Sequence, residues 1–361
     1  MATTARYPHR VALDFGPPLG FLRRRSWVVT LVAIVLSAGC ASSPTAPKVL
    51  PGAPEPAVAP ATSVPPDGDV ISQPGTPEGL VADATTGTLA VAVRDPAAVV
   101  LRDLTTGAMR ATVPLPGGAR HLTLAAPGGP VLVPDEERDL LHRLSLPAGT
   151  ELPTSPVGRQ PHDVAALRGG TVLVGDELAD TAHLIRPDGT IRVVPAPVQP
   201  GGVTAAADGS VALVVGVRGR QVAAYRPDGA EIGRAAAGAG PTHVVAGAVT
   251  PAGATFYVAD TNGDAVFTYE ATLDHVRLVA TTKVGARPYG IAYDAGRNLL
   301  WIASSAANTV EVRDAATFRV LATHPTARQP NSIAVDERDG SAWIAAATPD
   351  GTLQHLPTPK R

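Results

Sequence analysis

The sequence contains little cysteine, few aromatic residues and few charged ones. Its 361 residues include one cysteine, 4% aromatic residues and 17% charged residues. One cysteine excludes an internal disulfide, and no Cys-x-x-Cys or Cys/His spacing typical of zinc sites occurs. A net charge of −2 without a long basic block argues against a nucleic-acid partner, because phosphate neutralisation needs clustered lysine and arginine. The Gly-x-Ser-x-Gly, Walker and His-Glu-x-x-His motifs of common enzymes are also missing.

Glycine and proline are abundant instead, with 36 residues of each. Alanine and valine supply most of the apolar content, in short runs that glycine and proline interrupt. Short β-branched runs between turn formers are typical of strands, so the composition predicts many short strands.

An apolar run near the N-terminus ends close to the single cysteine. Three arginines at 23–25 precede this run at 27–38, which is too short for a membrane span of about 20 residues. The pattern fits an export signal, by the general secretory or the twin-arginine route. Residues 36–40, Leu-Ser-Ala-Gly-Cys, resemble a bacterial lipobox whose leucine lies one position further from the cysteine than usual. We predict a lipoprotein-type signal peptide at 1–39 and lipid attachment at Cys40; a plain secretory signal with an incidental cysteine is the alternative.

Residues 40–68 form a segment rich in proline and alanine. This density of proline excludes regular packed elements and predicts a semi-rigid spacer, of up to about 3.1 Å per residue. We therefore expect a folded body tethered by lipid to the extracytoplasmic side of a bacterial cell membrane and held away from it by the spacer.

An apolar triplet recurs seven times between residues 69 and 361, with centres 40 to 44 residues apart. A proline about 13 residues before each centre recurs in every copy except the second, where Arg120 takes its place. Each copy reads as four short strands separated by turns. Four-stranded units of about 42 residues, repeated seven times, predict an all-β, seven-bladed β-propeller at 69–361. Helical repeats of similar length would need longer runs with a period of 3.6 residues.

The last copy ends after its third strand. Residues 70–73 align with the outer strand of the other copies, so we predict that they complete the last blade. Such closure by an N-terminal strand would protect an otherwise open sheet edge.

The sixth copy, residues 287–330, reads RPYGIAYDAGRNLLWIASSAANTVEVRDAATFRVLATHPTARQP. It resembles the YVTN-type propeller repeat in its aromatic second strand, its Asn-Thr-Val third strand and its Asp-x-x-Thr turn. Residues 256–269 match as well, and the other copies match less. The resemblance implies the propeller fold but no particular reaction, because that family shares an architecture and not a chemistry.

The innermost strand of each blade lines the central channel of a propeller, so residues just after the landmark proline should ring one mouth of it. Imidazole and carboxylate groups from separate blades can bind a metal or transfer protons, although a water-filled channel needs neither. Glycines at ring positions are expected where inner strands crowd together. The polar ring residues that we take as a candidate ligand site are Glu78, His121, His162, Asp163, His243, Tyr289 and Asn331.

The sequence favours a monomeric, membrane-anchored propeller that binds or scaffolds an unidentified envelope protein or small molecule, without a cofactor. The alternative is a propeller enzyme of the metal-dependent lyase or lactonase type, with a metal at the channel mouth. Trp301 and Trp343 are expected to pack between blades, and Arg218 and Arg220 to lie in a solvated turn.

Overall fold

The computed structural model describes residues 50–359, so the predicted signal peptide and Cys40 lie outside the described residues. The described chain forms 28 strands in seven four-stranded antiparallel sheets, and a single turn of 3₁₀ helix at Arg168–Gly170. The innermost strand of each sheet contacts the innermost strand of the next around a complete circle. The predicted all-β, seven-bladed propeller is therefore confirmed. Between residues 50 and 359, no helix is long and apolar enough to cross a membrane.

Blades one to four each consist of four consecutive strands, ordered from the channel to the rim. Their strands are β2 (Pro77–Asp83), β3 (Thr88–Arg94), β4 (Ala97–Asp103) and β5 (Met109–Pro114); β6 (Thr123–Leu124), β7 (Val131–Asp135), β8 (Leu140–Leu144) and β9 (Glu151–Pro156); β10 (Pro161–Ala166), β11 (Val172–Asp176), β12 (Thr181–Ile185) and β13 (Ile191–Pro195); and β14 (Pro200–Ala205), β15 (Ala212–Gly216), β16 (Gln221–Tyr225) and β17 (Glu231–Ala236).

Blades five and six follow the same order, whereas blade seven combines both ends of the described chain. Their strands are β18 (Pro241–Thr250), β19 (Gly253–Asp260), β20 (Ala265–Ala271) and β21 (Val276–Lys283); β22 (Pro288–Asp294), β23 (Leu299–Ser304), β24 (Thr309–Asp314) and β25 (Val320–Pro325); and β26 (Pro330–Val335), β27 (Ala342–Ala346), β28 (Thr352–Leu356) and β1 (Asp69–Ser72).

The ring closes through β1, which pairs antiparallel with β28 and forms the outer strand of blade seven. The predicted closure by the N-terminal strand is confirmed, one residue earlier than the predicted 70–73. The side chain of Gln73, directly after β1, accepts a hydrogen bond of 2.8 Å from Arg102 Nε of blade one. The closing strand is thus bonded to the first blade as well as to the last.

The second strand of each blade is almost completely buried, and these strands are the apolar triplets of the sequence. Both faces of such a strand meet a neighbouring blade, which explains apolar runs without alternation. Trp301 and Trp343 occupy equivalent positions in β23 and β27 and are at most 1% exposed. Trp343 Nε1 donates a hydrogen bond of 2.8 Å to the carbonyl of Leu104 in blade one. Packing of tryptophan between blades is therefore confirmed.

One backbone hydrogen bond recurs in all seven blades. The residue at the end of the second strand donates its N–H to a carbonyl just before the first strand, at 2.8 to 3.3 Å. This bond holds seven equivalent residues at the same mouth of the channel. The donors are Arg94, Glu136, Glu177, Val217, Thr261, Ser305 and Ala347.

Candidate functional site

The strand register changes the predicted alignment of blade two by one residue. The predicted alignment requires Leu124 to lie opposite Leu132, the centre of the apolar triplet. Thr123 pairs with Leu132 instead. The residue equivalent to the landmark proline is therefore Ala119, and the predicted equivalence of Arg120 is wrong.

We number the ring positions from the landmark proline, so that the residue directly after it is the first and the next residue is the second. Arg120 therefore occupies the first ring position of blade two, and His121 occupies the second. Close backbone approaches support this register. A Cβ on Gly79 would lie 2.3 Å from the carbonyl oxygen of Arg120, just as a Cβ on Gly290 would lie 2.4 Å from that of Asn331. Both glycines hold second ring positions beside the next blade, as predicted from crowding of the inner strands.

Four of the predicted site residues form a continuous cluster of rings. The ring centroids of His121 and His162 are 4.9 Å apart, and those of His121 and His243 are 4.8 Å apart. Tyr289 extends the cluster, with its centroid 4.3 Å from that of His243. Blades two, three, five and six thus bring an imidazole or phenol group to one point in the channel mouth.

Asp163 does not join this cluster, although the sequence places it in the candidate site. Its carboxylate accepts 2.8 Å hydrogen bonds from the backbone N–H groups of Val164 and of Val203 in blade four. Burial raises the pKa of Asp163 to about 7, against the opposing effect of these two hydrogen bonds. Asp163 therefore ties two blades together and does not face the channel ligands.

Glu78 and Asn331 form the opposite side of the mouth. Asn331 Nδ2 donates a 3.0 Å hydrogen bond to Glu78 Oε2. Burial raises the pKa of Glu78, although the guanidinium groups of Arg120 and Arg94 act in the opposite direction. These predicted residues are brought together, but they pair with each other.

Two glutamates outside the predicted set of site residues complete the site: Glu136, which is buried, and Glu177, which is half-buried. Glu136 and Glu177 belong to the set of residues at the ends of the second strands, whereas the predicted site contains only residues of the first strands. Each lies four residues after the centre of its apolar triplet, so an alignment of the copies places both in one column. Arg94 is the equivalent residue of the first copy. The sequence therefore contained a signal for these residues, in the form of charged side chains at one repeat position, but only the first strand of each blade was expected to line the mouth.

The two glutamates flank one imidazole. His162 Nδ1 lies 3.0 Å from Glu136 Oε1 and 3.3 Å from Glu177 Oε2. The side chain of Glu136 is only 4% exposed, and Arg94 donates a 3.1 Å hydrogen bond to its other oxygen, Oε2. Within the described residues, neither Glu136 Oε1 nor His162 Nδ1 has a hydrogen-bond partner, because the contact between them lacks hydrogen-bond geometry.

Glu177 is held by two glutamine side chains. Gln160 Nε2 donates to Glu177 Oε2 at 2.5 Å, and Gln199 Nε2 donates to Glu177 Oε1 at 2.7 Å. Both glutamines precede a first strand and have left-handed backbones, with φ of 53° and 56°. Such φ values are uncommon outside glycine and occur often at functional sites.

The three imidazoles differ in protonation because their neighbours differ. Burial lowers the pKa of His162, but the carboxylates of Glu136 and Glu177 outweigh burial and raise it to about 9. Burial and neighbouring positive charges hold the pKa of His121 well below its ordinary value and lower that of His243 to about 3. At neutral pH the cluster therefore contains one charged and two neutral imidazoles.

A segment of the chain covers this mouth. We call residues 50–60 the strap. Hydrogen bonds from propeller side chains hold its main chain at both ends and in the middle. The bonds to strap carbonyls come from Arg218 to Pro51, Arg220 to Gly52, Arg287 to Glu55, Gln329 to Ala57, Arg328 to Ala59 and Asn308 to Pro60, and the strap N–H groups of Ala57 and Ala59 donate to Ser305 and Gln329.

The strap differs from the predicted spacer. From residue 50 onward, the proline-rich segment contacts the propeller instead of standing free of it. Arg218 and Arg220, expected in a solvated turn, hold its first carbonyls. The proline content correctly predicted that this segment forms neither helix nor strand. An extended segment can nevertheless be held in place, because its backbone carbonyls accept hydrogen bonds from propeller side chains.

The strap divides the mouth into two cavities. The inner cavity, bounded by the ring cluster, Arg120, Glu177 and Ala53 to Glu55 of the strap, has a volume of only about 30 Å³. This is room for an ion or one to two water molecules. The outer cavity of about 330 Å³ lies along Glu78, Asn331 and Gln329. An organic ligand therefore reaches the inner histidines only when the strap moves.

No family model and no curated protein matches the sequence. The propeller fold is confirmed, but membership of the YVTN-type repeat family is not.

Solved propellers are similar in structure. A streptogramin B lyase is 15% identical, with a TM-score of 0.66 over 80% of this chain and 96% of the lyase. A virginiamycin B lyase from Staphylococcus aureus is 16% identical, with a TM-score of 0.65 over 80% and 98%. A chain of the mitotic checkpoint complex is 12% identical, with a TM-score of 0.69 over 89% and 100%. At these identities, the likeness shows the fold alone.

Proposed function

We propose that the protein is a membrane-anchored, extracytoplasmic propeller lipoprotein that binds a ligand of the cell envelope at the channel mouth. The observation that carries this proposal is the convergence of His121, His162, His243 and Tyr289 from four blades beneath the strap. Polar groups that converge in a concave site are the usual mark of a ligand site. The opposite mouth has a larger cavity, of about 450 Å³, but its lining is mainly small residues without such a cluster.

The anchor is supported by the sequence around Cys40. A short apolar run and small residues directly before the single cysteine fit lipid attachment. Only nine residues separate Cys40 from Leu50, where the described chain begins. Even when fully extended, a chain of that length spans about 35 Å at most.

Substitution of the cysteine tests the anchor. We expect Cys40→Ser to move the protein out of the membrane fraction and to abolish incorporation of a clickable fatty acid. Ser43→Ala, three residues further on, is the matched control and should remain at the membrane. Equal membrane retention of Cys40→Ser and the control would contradict the anchor.

Native mass spectrometry of full-length protein extracted from membranes in mild detergent tests the binding site. We expect the wild type to retain a non-covalent ligand and the His121→Leu, His243→Leu double variant to lose it. His275→Leu, which changes an exposed histidine of blade five, should retain it. An identical, ligand-free mass for all three proteins would contradict the proposed site.

A second candidate is an enzyme that uses the same mouth. The favouring observation is the contact of His243 with His121 and with the Tyr289 phenol, because imidazole and phenol groups that converge in a cavity are common general acid–base groups. One of the similar solved structures is a catalytically inactive histidine-to-alanine virginiamycin B lyase with quinupristin. Incubation of this protein with quinupristin and divalent cations tests that chemistry, and unchanged quinupristin by mass spectrometry would exclude it.

A further inference from the structure

We propose that Glu136, His162 and Glu177 form a binding site for one divalent transition-metal ion, of the Zn²⁺ type, at the inner end of the channel mouth. The three residues offer ligand atoms that all lie within 4.8 Å of one another. This inference deepens the proposed ligand site, since it places a metal in the same mouth, but it can be tested separately from it.

The distances within the group match those between ligands of one metal ion. Zinc lies about 2.0 to 2.2 Å from nitrogen and oxygen ligands, so neighbouring ligand atoms in a tetrahedral site are about 3.3 to 3.6 Å apart. His162 Nδ1 is 3.0 Å from Glu136 Oε1 and 3.3 Å from Glu177 Oε2. All three ligand atoms lie within 4.8 Å of one another, so metal binding requires the two glutamate oxygens to draw closer and His162 Nδ1 to move slightly away from Glu136 Oε1.

Two of the three ligand atoms are buried and make no hydrogen bond in the described structure, whereas the third, Glu177 Oε2, accepts one from Gln160. Glu136 Oε1 and His162 Nδ1 are both inaccessible and both lack a hydrogen bond. Glu136 Oε1 lies in ion-pair contact with His162 and Arg120 but accepts no hydrogen bond, and a metal bond would supply the missing directional partner. Arg120 Nε lies 3.2 Å from the same oxygen, also without hydrogen-bond geometry, so the lone pair remains available.

Blade two contains an internal comparison. His142 also lies between two carboxylates, at 2.6 Å from Glu151 Oε1 and 3.3 Å from Asp135 Oδ2. Both of those contacts have hydrogen-bond geometry, so all three groups satisfy one another. Around His162, the contact with Glu136 does not have hydrogen-bond geometry. His142 and its two carboxylates therefore satisfy one another, whereas His162 and Glu136 leave room for a further partner such as a metal ion.

A metal would bind here in exchange for a proton. Glu136 and Glu177 flank His162, and the guanidinium groups of Arg94 and Arg120 adjoin Glu136. Because a metal ligand must be a neutral imidazole, the ion would take the place of the proton that His162 carries between the two glutamates. Two carboxylates and one imidazole suit zinc, manganese or iron, and exclude the all-sulfur sites of soft metals.

The inner cavity provides the remaining coordination position. Its volume of about 30 Å³ adjoins His162 and Glu177 and holds one or two water molecules. Three protein ligands with one open position are the arrangement of catalytic zinc sites, where the metal lowers the pKa of its bound water. His121 and His243 line the same cavity and are placed to contact such a water.

Calorimetric titration of metal-free, detergent-extracted full-length protein with ZnCl₂ tests the site. We expect one Zn²⁺ per wild-type chain, and at least tenfold weaker binding in Glu136→Gln and in His162→Gln. The visible spectrum of the Co²⁺-loaded wild type should show the bands of a four-coordinate nitrogen and oxygen site. His142→Gln is the matched control, because it removes a carboxylate-flanked histidine of a neighbouring sheet, and it should bind Zn²⁺ like the wild type.

Absence of stoichiometric Zn²⁺ binding by the folded wild type would overturn the inference, as would equal affinities for Glu136→Gln and His142→Gln. Near-ultraviolet circular dichroism of each variant verifies folding. If Glu136→Gln fails to fold, Glu177→Gln provides the same comparison. A failed titration leaves the retained ligand in the native mass spectrum unaffected, so it is distinguishable from failure of the proposed binding function.

Discussion

The absence of a Cβ atom at three glycines allows the inner strands of neighbouring blades to lie close together around the channel axis. Gly79, Gly202 and Gly290 each face the first ring residue of the next blade, and a Cβ on any of them would lie within 2.7 Å of a backbone oxygen. Real Cβ atoms do not approach backbone so closely, and backbone cannot rotate away as a side chain can. The channel residues therefore converge because their neighbours have no side chains.

Substitution of Gly290 by alanine is expected to destabilise the propeller by about 1 to 3 kcal/mol, since the new methyl group would push blade six from blade seven. Urea unfolding measures the effect. Gly233→Ala is the control, because its added Cβ would meet only Val276 at an ordinary 3.7 Å. Equal unfolding midpoints for the two variants would argue against crowding at the ring.

The strap is an element without regular secondary structure, and its order comes from the propeller. Its carbonyls and N–H groups bond to side chains of blades four and six and of the connections on either side of blade six, not to one another. Gln329 is central to this arrangement, since its amide accepts from the Ala59 N–H and donates to the Ala57 carbonyl, both at 2.8 Å. Because the strap covers the inner cavity, its local opening controls access to the histidines.

Shortening Gln329 to asparagine is expected to loosen the strap without disturbing its own left-handed backbone, which asparagine tolerates. Loss of two hydrogen bonds, at about 1 kcal/mol each, should speed amide exchange of residues 55–60 at least tenfold. Hydrogen exchange with mass spectrometry reads this out, with the exposed Gln221→Asn as control. Unchanged exchange in the strap would show that Gln329 does not hold it.

At the scale of the whole molecule, stability depends on a ring whose two ends are joined by one strand. The strand β1 covers the edge of β28, and Ile71 packs in the cluster around Trp343. Arg102, a buried cation of blade one, donates hydrogen bonds to Gln73 and to the carbonyl of Ser72. Opening the ring therefore exposes a sheet edge and leaves a buried charge with fewer partners.

Deletion of residues 69–74 is expected to lower stability by about 3 to 5 kcal/mol, or roughly 10 °C in melting temperature. Differential scanning calorimetry measures it. Removal of residues 358–361, at the other end of the same blade, is the control, since their one described hydrogen bond is from Thr358 to the carbonyl of Asp339. A melting temperature unchanged by the first deletion would refute closure by β1.

Much of the fold could be predicted because the repeat is periodic. Triplets at a regular spacing mark the second strands, and the missing outer strand of the last copy identifies β1. The site could be predicted only in part. Histidines and Tyr289 were identified because the landmark proline marks their strands. Arg120 was misaligned where that proline is missing, and Glu136 and Glu177 were passed over because they follow the second strand.

The sequence by itself determined the number of blades, their order and the strand that closes the ring, because strand formation and repetition depend on local pattern. The tertiary structure decided which side chains meet. Asp163 turns toward blade four, whereas His162, the residue before it, faces the glutamates of blades two and three. It also placed the proline-rich strap across the mouth, since the groups that hold it lie more than 160 residues away in the chain. Contacts at such separations depend on register and close packing, which no local pattern encodes.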